Sequence, residues 1–216
     1  KIEKVIDDLD PDAVMYLINI VLFDAEWESI YKKDEISDST FTALDGTKRT
    51  ISMMYSTEQR YLDDGKATGF IKPYKSGYSF VALLPNGDIS LSDYVASMTG
   101  KSFVDTIKNA KDIPVETAIP KFSYDYDIEM GGALKALGMT NPFEPSKADF
   151  SALGSSDSGN IFISRVLHKA YIAVDERGTK AGAATAVETV YTALEECIYR
   201  VTLDRPFVYA IIDDAT

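Results

Sequence analysis

The single cysteine, Cys197, and the single histidine, His168, are the residue types from which a thiol nucleophile and its base could be built. They lie in separate β-rich segments with no motif that would bring a third, orienting group, so a thiol-protease centre has no support in the spacing. A metal site fares no better, because one histidine and one cysteine leave only carboxylates. The acidic run DYDIEMGG carries the alternating acids of a calcium loop counted from Asp125, but Met130 occupies the sixth position, where the sharp turn requires glycine. No catalytic residue, metal or cofactor is therefore expected.

A different kind of chemistry is written between Glu176 and Ala193, ERGTKAGAAT continuing AVETVYTA. In a strand, Thr179, Ala181, Ala183, Thr185 and Val187 would share one face, all small and uncharged, with Lys180 and Glu188 on the other. No proline or bulky side chain bars the segment from pairing on both edges. Yet small residues following a short Arg177-Gly178 connection equally suit an exposed loop or a flexible linker. The composition fits both a surface loop and a central strand.

The elements that must position this segment are read from periodicity. AVMYLINIVLF is apolar almost throughout, which suits a strand buried on both faces, with a helix as the alternative. Ser39 to Met54 reads as a hairpin around Asp45-Gly46, and GFIKPY and YSFVALLP as two further strands separated at Gly77. Helical spacing over Leu91, Tyr94, Val95 and Met98, then Phe103, Ile107 and Ala110, predicts two short helices interrupted at Gly100. Strand signals return at VETAIPKFSYDYD, a helix is expected over DIEMGGALKALG closed by Gly138, and IFISRVLHKAYIAVDE and RPFVYAIID read as strands. With no repeat or linker composition, the fold class is α+β in a single domain over residues 1–216.

Composition bounds the partners. The chain is 45% hydrophobic and 26% charged, as ordinary globular chains are. A net charge of −12 without clustered basic residues argues against nucleic acid, and no apolar run reaches the ~20 residues needed to cross a bilayer.

ERGTKAGAAT resembles the proximal hinge of inhibitory serpins: acid, any residue, Gly, Thr, any residue, then small residues ending in Thr. VLHKAYIAVDE is similar to the sheet strand that leads into the serpin reactive loop, and LDRPFVYAIID to the strand that follows it. LINIVLFDAEW, the Met53-Met54 pair, AIPKFSYDYD, and LGMTNPF followed by ADFSAL match in order, so the resemblance covers essentially the whole chain. It implies the serpin fold, with mixed β-sheets, short helices and an exposed reactive-centre loop over residues 176–196. It also implies a partial domain, lacking the N-terminal helices and the last C-terminal strand.

The activity implied is that of a suicide substrate for serine proteases. The target serine attacks the loop to form a covalent acyl-enzyme, and the freed loop inserts into the main sheet, distorting the protease before deacylation. By the same resemblance Glu176, Gly178, Thr179, Ala181, Ala183 and Thr185 form the hinge, Thr179 being the first inward side chain to be buried. Asn19, Trp27, Lys121 and His168 mark the place where the sheet opens, with Glu176 able to pair with Lys121. Counting from the hinge puts the scissile bond between Thr192 and Ala193, and counting back from RPF puts it between Tyr191 and Thr192. The first register suits an elastase-like target and the second a chymotrypsin-like one. A cysteine protease is a second target class. The family suggests a monomer when complete and an extracellular or cell-surface location. The rival reading is a non-inhibitory serpin acting as a binding or chaperone module.

Overall fold

The computed structural model describes residues 13–156, 159–179 and 199–216. In chain order the first strands are β1 (Tyr16–Leu22), β2 (Ala25–Glu26), β3 (Ile36–Thr42), β4 (Lys48–Asp63), β5 (Ala67–Pro73) and β6 (Tyr78–Pro85). Helices α1 (Leu91–Ser97) and α2 (Gly100–Lys108) follow, then β7 (Lys111–Pro120), β8 (Phe122–Glu129) and α3 (Gly131–Ala136). The chain continues with β9 (Arg165–Val174), β10 (Gly178–Thr179), β11 (Tyr199–Thr202) and β12 (Val208–Asp213). These elements group into two compact units, one of residues 1–23 and 123–172, the other of residues 24–122 and 173–216.

In the first unit β1 runs parallel to β9, which also pairs with β8. The pairing sets Asn19 opposite His168. β1 is a strand, as its composition predicts, but it is not buried on both faces: Leu17, Ile18, Ile20, Val21 and Leu22 are 41–52% exposed. An apolar run shows that a segment is suited to burial, while the burial itself must come from other layers. Helix α3 begins only at Gly131, because Asp127 to Glu129 continue β8. Glu129 ends that strand by accepting the Gly131 and Val166 N–H groups on one carboxylate oxygen. Gly138, at φ 99°, closes the helix as expected. β9 starts at Arg165, so Ile161 to Ser164 precede the strand rather than belonging to it.

The second unit is built on a sheet of order β11-β7-β4-β5-β6-β12, with β3 also paired to β4. The β3–β4 hairpin turns at Asp45-Gly46, where Gly46 has φ 81° and Asp45 accepts the Thr47 N–H. Helices α1 and α2 begin at Ser90 and Thr99, whose hydroxyls accept the N–H groups of Asp93 and Ser102. Tyr94 of α1 is buried with Leu62, Ala67, Ile71, Val81 and Leu83, and Met98, Phe103 and Ile107 pack against that cluster. β5 and β6 are thereby fixed from one side, and the end of β5 at Lys72 and Pro73 leads through Tyr74 to the site described next.

Candidate functional site

Trp27 follows β2, is fully buried, and bridges Tyr74 in an antiparallel pairing. Its indole stacks on the Tyr74 ring with centroids 4.3 Å apart and planes 11° from parallel, while Phe80 meets it edge-on at 5.8 Å. This aromatic floor carries the turn Asp175 to Gly178.

Three donors hold that turn. The Trp27 backbone N–H donates to the Arg177 carbonyl and its indole N–H to the Asp175 carbonyl, both at 2.9 Å. The Tyr31 N–H donates to the Glu176 carbonyl at 2.9 Å. Asp175 closes the turn internally, its carboxylate accepting the N–H groups of Arg177 at 2.8 Å and Gly178 at 3.3 Å. Every carbonyl from Asp175 to Arg177 thus has a donor, as a partly buried backbone demands.

Beyond the turn, β10 lies between two strands. Gly178 and Thr179 pair with Glu26 and Ala25 on one edge, and Thr179 with Val174 on the other. The approach to β2 is so close that a Cβ on Gly178 would stand 2.1 Å from the Ala25 carbonyl oxygen. Only glycine fits there. Thr179 is fully buried, and its hydroxyl lies 2.6 Å from the Tyr74 hydroxyl. Burial pushes the Tyr74 phenol far above its ordinary value, so the group is a neutral O–H that can give or receive this bond. Thr179 is therefore already buried here, before the residues that would follow it into a sheet.

Lys121 donates to Glu176 at 2.6 Å, the partnership considered from the sequence. The lysine hydrogen bond holds the Glu176 carboxyl below its ordinary value. With the two side chains 30% and 40% exposed, solvent screens the pair and its stabilisation is modest. Asn19 and His168 are neighbours across β1 and β9 in the first unit. Ala181, Ala183, Thr185, Val187, Tyr191, Thr192, Ala193 and Cys197 lie outside the described residues.

Sequence reasoning missed Tyr74, Tyr31 and Asp175. Asp175, three residues before Gly178, is an available turn signal. Tyr74 gives none, because its role arises from a pairing with Trp27 across 47 residues of chain.

A family model described as Serpin (serine protease inhibitor) matches residues 1–216. The chain belongs to the serpin family. It is 30% identical over 219 residues to leukocyte elastase inhibitor A of Rattus norvegicus, covering 96% of this chain and 57% of that serpin. The structure matches that of tengpin, a thermophilic serpin in its native state, with TM-score 0.90 and 49% identity over 98% of this chain and 55% of tengpin. It also matches human thyroxine-binding globulin complexed with its ligand, with TM-score 0.82 and 26% identity over 97% and 55% of the two chains. The chain spans a little over half the length of these relatives.

Two outcomes follow from the geometry of the turn and β10. Gly178→Ala forces β10 away from the Ala25 carbonyl, at a cost of about 1–3 kcal/mol, and should speed hydrogen exchange at Thr179; exchange unchanged from the parent would show that the close approach does not exist. Glu176, with its folded value depressed, adds stability that is fully present above the ordinary value near 4.5 and is lost as pH falls through the depressed one. Unfolding free energy measured below pH 4.5 should fall more steeply for the parent than for Glu176→Gln, and identical profiles would contradict the pairing.

Proposed function

We propose that this chain is part of a single serpin domain that inhibits serine proteases as a suicide substrate, with residues 176–196 as the bait loop. The observation that carries the reading is the seating of Gly178-Thr179 between Val174 and Ala25, in line with the small-residue face that follows. A strand begun with a threonine and continued by Ala181, Ala183 and Thr185 can extend without burying a charge or a large side chain.

In the proposed sequence of events the protease serine oxygen attacks the carbonyl carbon of Thr192, or of Tyr191 in the alternative register. The peptide bond breaks, an ester to the serine forms, and the amine of the following residue leaves with the proton supplied by the protease histidine. Catalysis belongs to the target. Insertion of the freed segment then draws the ester-linked protease with it, and loss of triad geometry slows hydrolysis by about 10⁴-fold. Elastase-like and chymotrypsin-like enzymes are the proposed targets, the first supported by the leukocyte elastase inhibitor relative. Cysteine proteases form a second class through the analogous thioester. A monomer acting outside the cell or at its surface is proposed on family likeness alone. Among the described residues no helix is long and apolar enough to cross a membrane.

The likeness to thyroxine-binding globulin favours a second reading, in which the fold binds a ligand or client and traps no protease. Full-length protein mixed briefly with pancreatic elastase, and separately with chymotrypsin, distinguishes the two by mass spectrometry. The inhibitor reading expects a covalent adduct with a released peptide starting at Ala193 or Thr192. Cleavage with no adduct would sink it. Thr179→Arg should lower the adduct fraction at least about tenfold while leaving cleavage intact, because an unpaired charge in the fully buried Thr179 position costs several kcal/mol.

A further inference from the structure

Lys72 is an anomaly in β5. Phe70 and Ile71 before it are core residues, and Lys72 itself is only 2% exposed. Its ammonium donates to the Glu58 carboxylate at 2.7 Å and lies 4.6 Å from the Tyr31 ring centroid and 5.5 Å from that of Trp27. Glu58 is 7% exposed. Ser56 Oγ lies 2.6 Å from the same Glu58 oxygen, 3.3 Å from the Tyr31 hydroxyl and 3.0 Å from Thr117 Oγ1. The ion pair is thus embedded in a satisfied polar network.

The backbone is arranged to admit it. Glu58 stands opposite Val115, but Arg60 stands opposite Asp112, so β7 carries an extra residue beside Pro114. Proline has no N–H to give to the ladder, and a bulge is where a strand tolerates it. The register shift begins at Glu58, the residue whose carboxylate is turned inward.

The pair is hard to explain by stability alone. Burying two charges sacrifices their hydration, and apolar side chains of similar volume are often as stable in such a place. Its neighbours suggest another role. The two rings that face the ammonium belong to Trp27 and Tyr31, the two residues whose N–H groups hold the hinge carbonyls. Tyr74, which binds Thr179, lies two residues from Lys72 and stacks on the same indole.

We propose that the Lys72–Glu58 pair is a positioning unit for the hinge: Glu58 fixes the ammonium, the ammonium draws the faces of Trp27 and Tyr31 toward it, and the fixed rings aim Tyr74 at Thr179. A cation held over aromatic faces in a dry site orients the rings as well as attracting them, which methylene contacts do not do. The proposal deepens the inhibitor reading by naming what presets the hinge, and its first readout does not require inhibition.

The test compares Lys72→Met, Lys72→Arg and Glu58→Gln in full-length protein by amide hydrogen exchange. Lys72→Met should accelerate exchange of Gly178 and Thr179 at least about tenfold while amides of β12 change less than about twofold, and Lys72→Arg, which keeps a cation beside the two rings, should accelerate the hinge amides less than Lys72→Met does. Acrylamide quenching of Trp27, followed with any tryptophan outside the 216 residues replaced by phenylalanine, should rise in Lys72→Met and rise less in Lys72→Arg. Should Lys72→Met not fold, Glu58→Gln supplies the same comparison with a smaller change in volume. Uniform acceleration across the sheet, an unchanged hinge, or failure of both variants to fold would overturn the proposal, since the pair would then be an ordinary requirement of the core. In a protein that forms adducts, Lys72→Met should also raise the ratio of cleaved to trapped inhibitor. A parent that forms no adduct would remove the inhibitor reading and leave the exchange comparison standing.

Discussion

A buried hydroxyl must find a partner or forfeit its hydration, and at Thr179 that partner is the phenol of Tyr74 at 2.6 Å. The pair imposes conditions on everything around it. Tyr74 can present its hydroxyl only because its ring is sandwiched against Trp27, and Trp27 can act as a floor only because it is closed in by Phe80. The turn carrying Thr179 must also arrive at the right height. That height is set by the Trp27 and Tyr31 donors and by a glycine at the point of closest approach to Ala25.

The contributions are unequal in kind. The Lys121–Glu176 pair is partly solvated and supplies direction more than free energy. The neutral hydroxyl pair is buried, so disrupting it costs about 1–3 kcal/mol, whereas the backbone bonds of the turn are only partly buried. Under the proposed function this division suits a loop that enters a sheet. Backbone pairing registers Gly178 and Thr179 between Val174 and Ala25, and Ala181, Ala183 and Thr185, which would share the Thr179 face, carry no charge or bulk to oppose extension.

Much of this was legible from the residues because it is local. Asp45-Gly46 and Gly77 announce their turns and Gly138 the end of a helix, each through chemistry confined to a few neighbours. Glu176 and Lys121 were paired in advance only through family likeness, since 55 residues separate them. Tyr74, Lys72 and Glu58 were silent for the same reason: their meaning depends on which strands become adjacent and on a bulge beside Pro114. The segment AVMYLINIVLF forms the strand that its composition allows, and how fully a strand is covered is decided by layers that the strand itself does not specify. α3 starts late for a further reason: Asp127 to Glu129 continue β8, and the Glu129 carboxylate accepts the N–H groups of the neighbouring Gly131 and of Val166 in β9.

The central claim is that Thr179 and Tyr74 recognise each other, and a double-mutant cycle with Thr179→Val, Tyr74→Phe and the double variant in full-length protein tests it most directly. The quantity to measure is the free energy of opening at the Thr179 amide from hydrogen exchange. The account predicts a coupling of about 1 kcal/mol or more, the double variant being less damaged than the sum of the single ones. Additivity within about 0.3 kcal/mol would contradict it, because each hydroxyl would then be satisfied independently of the other.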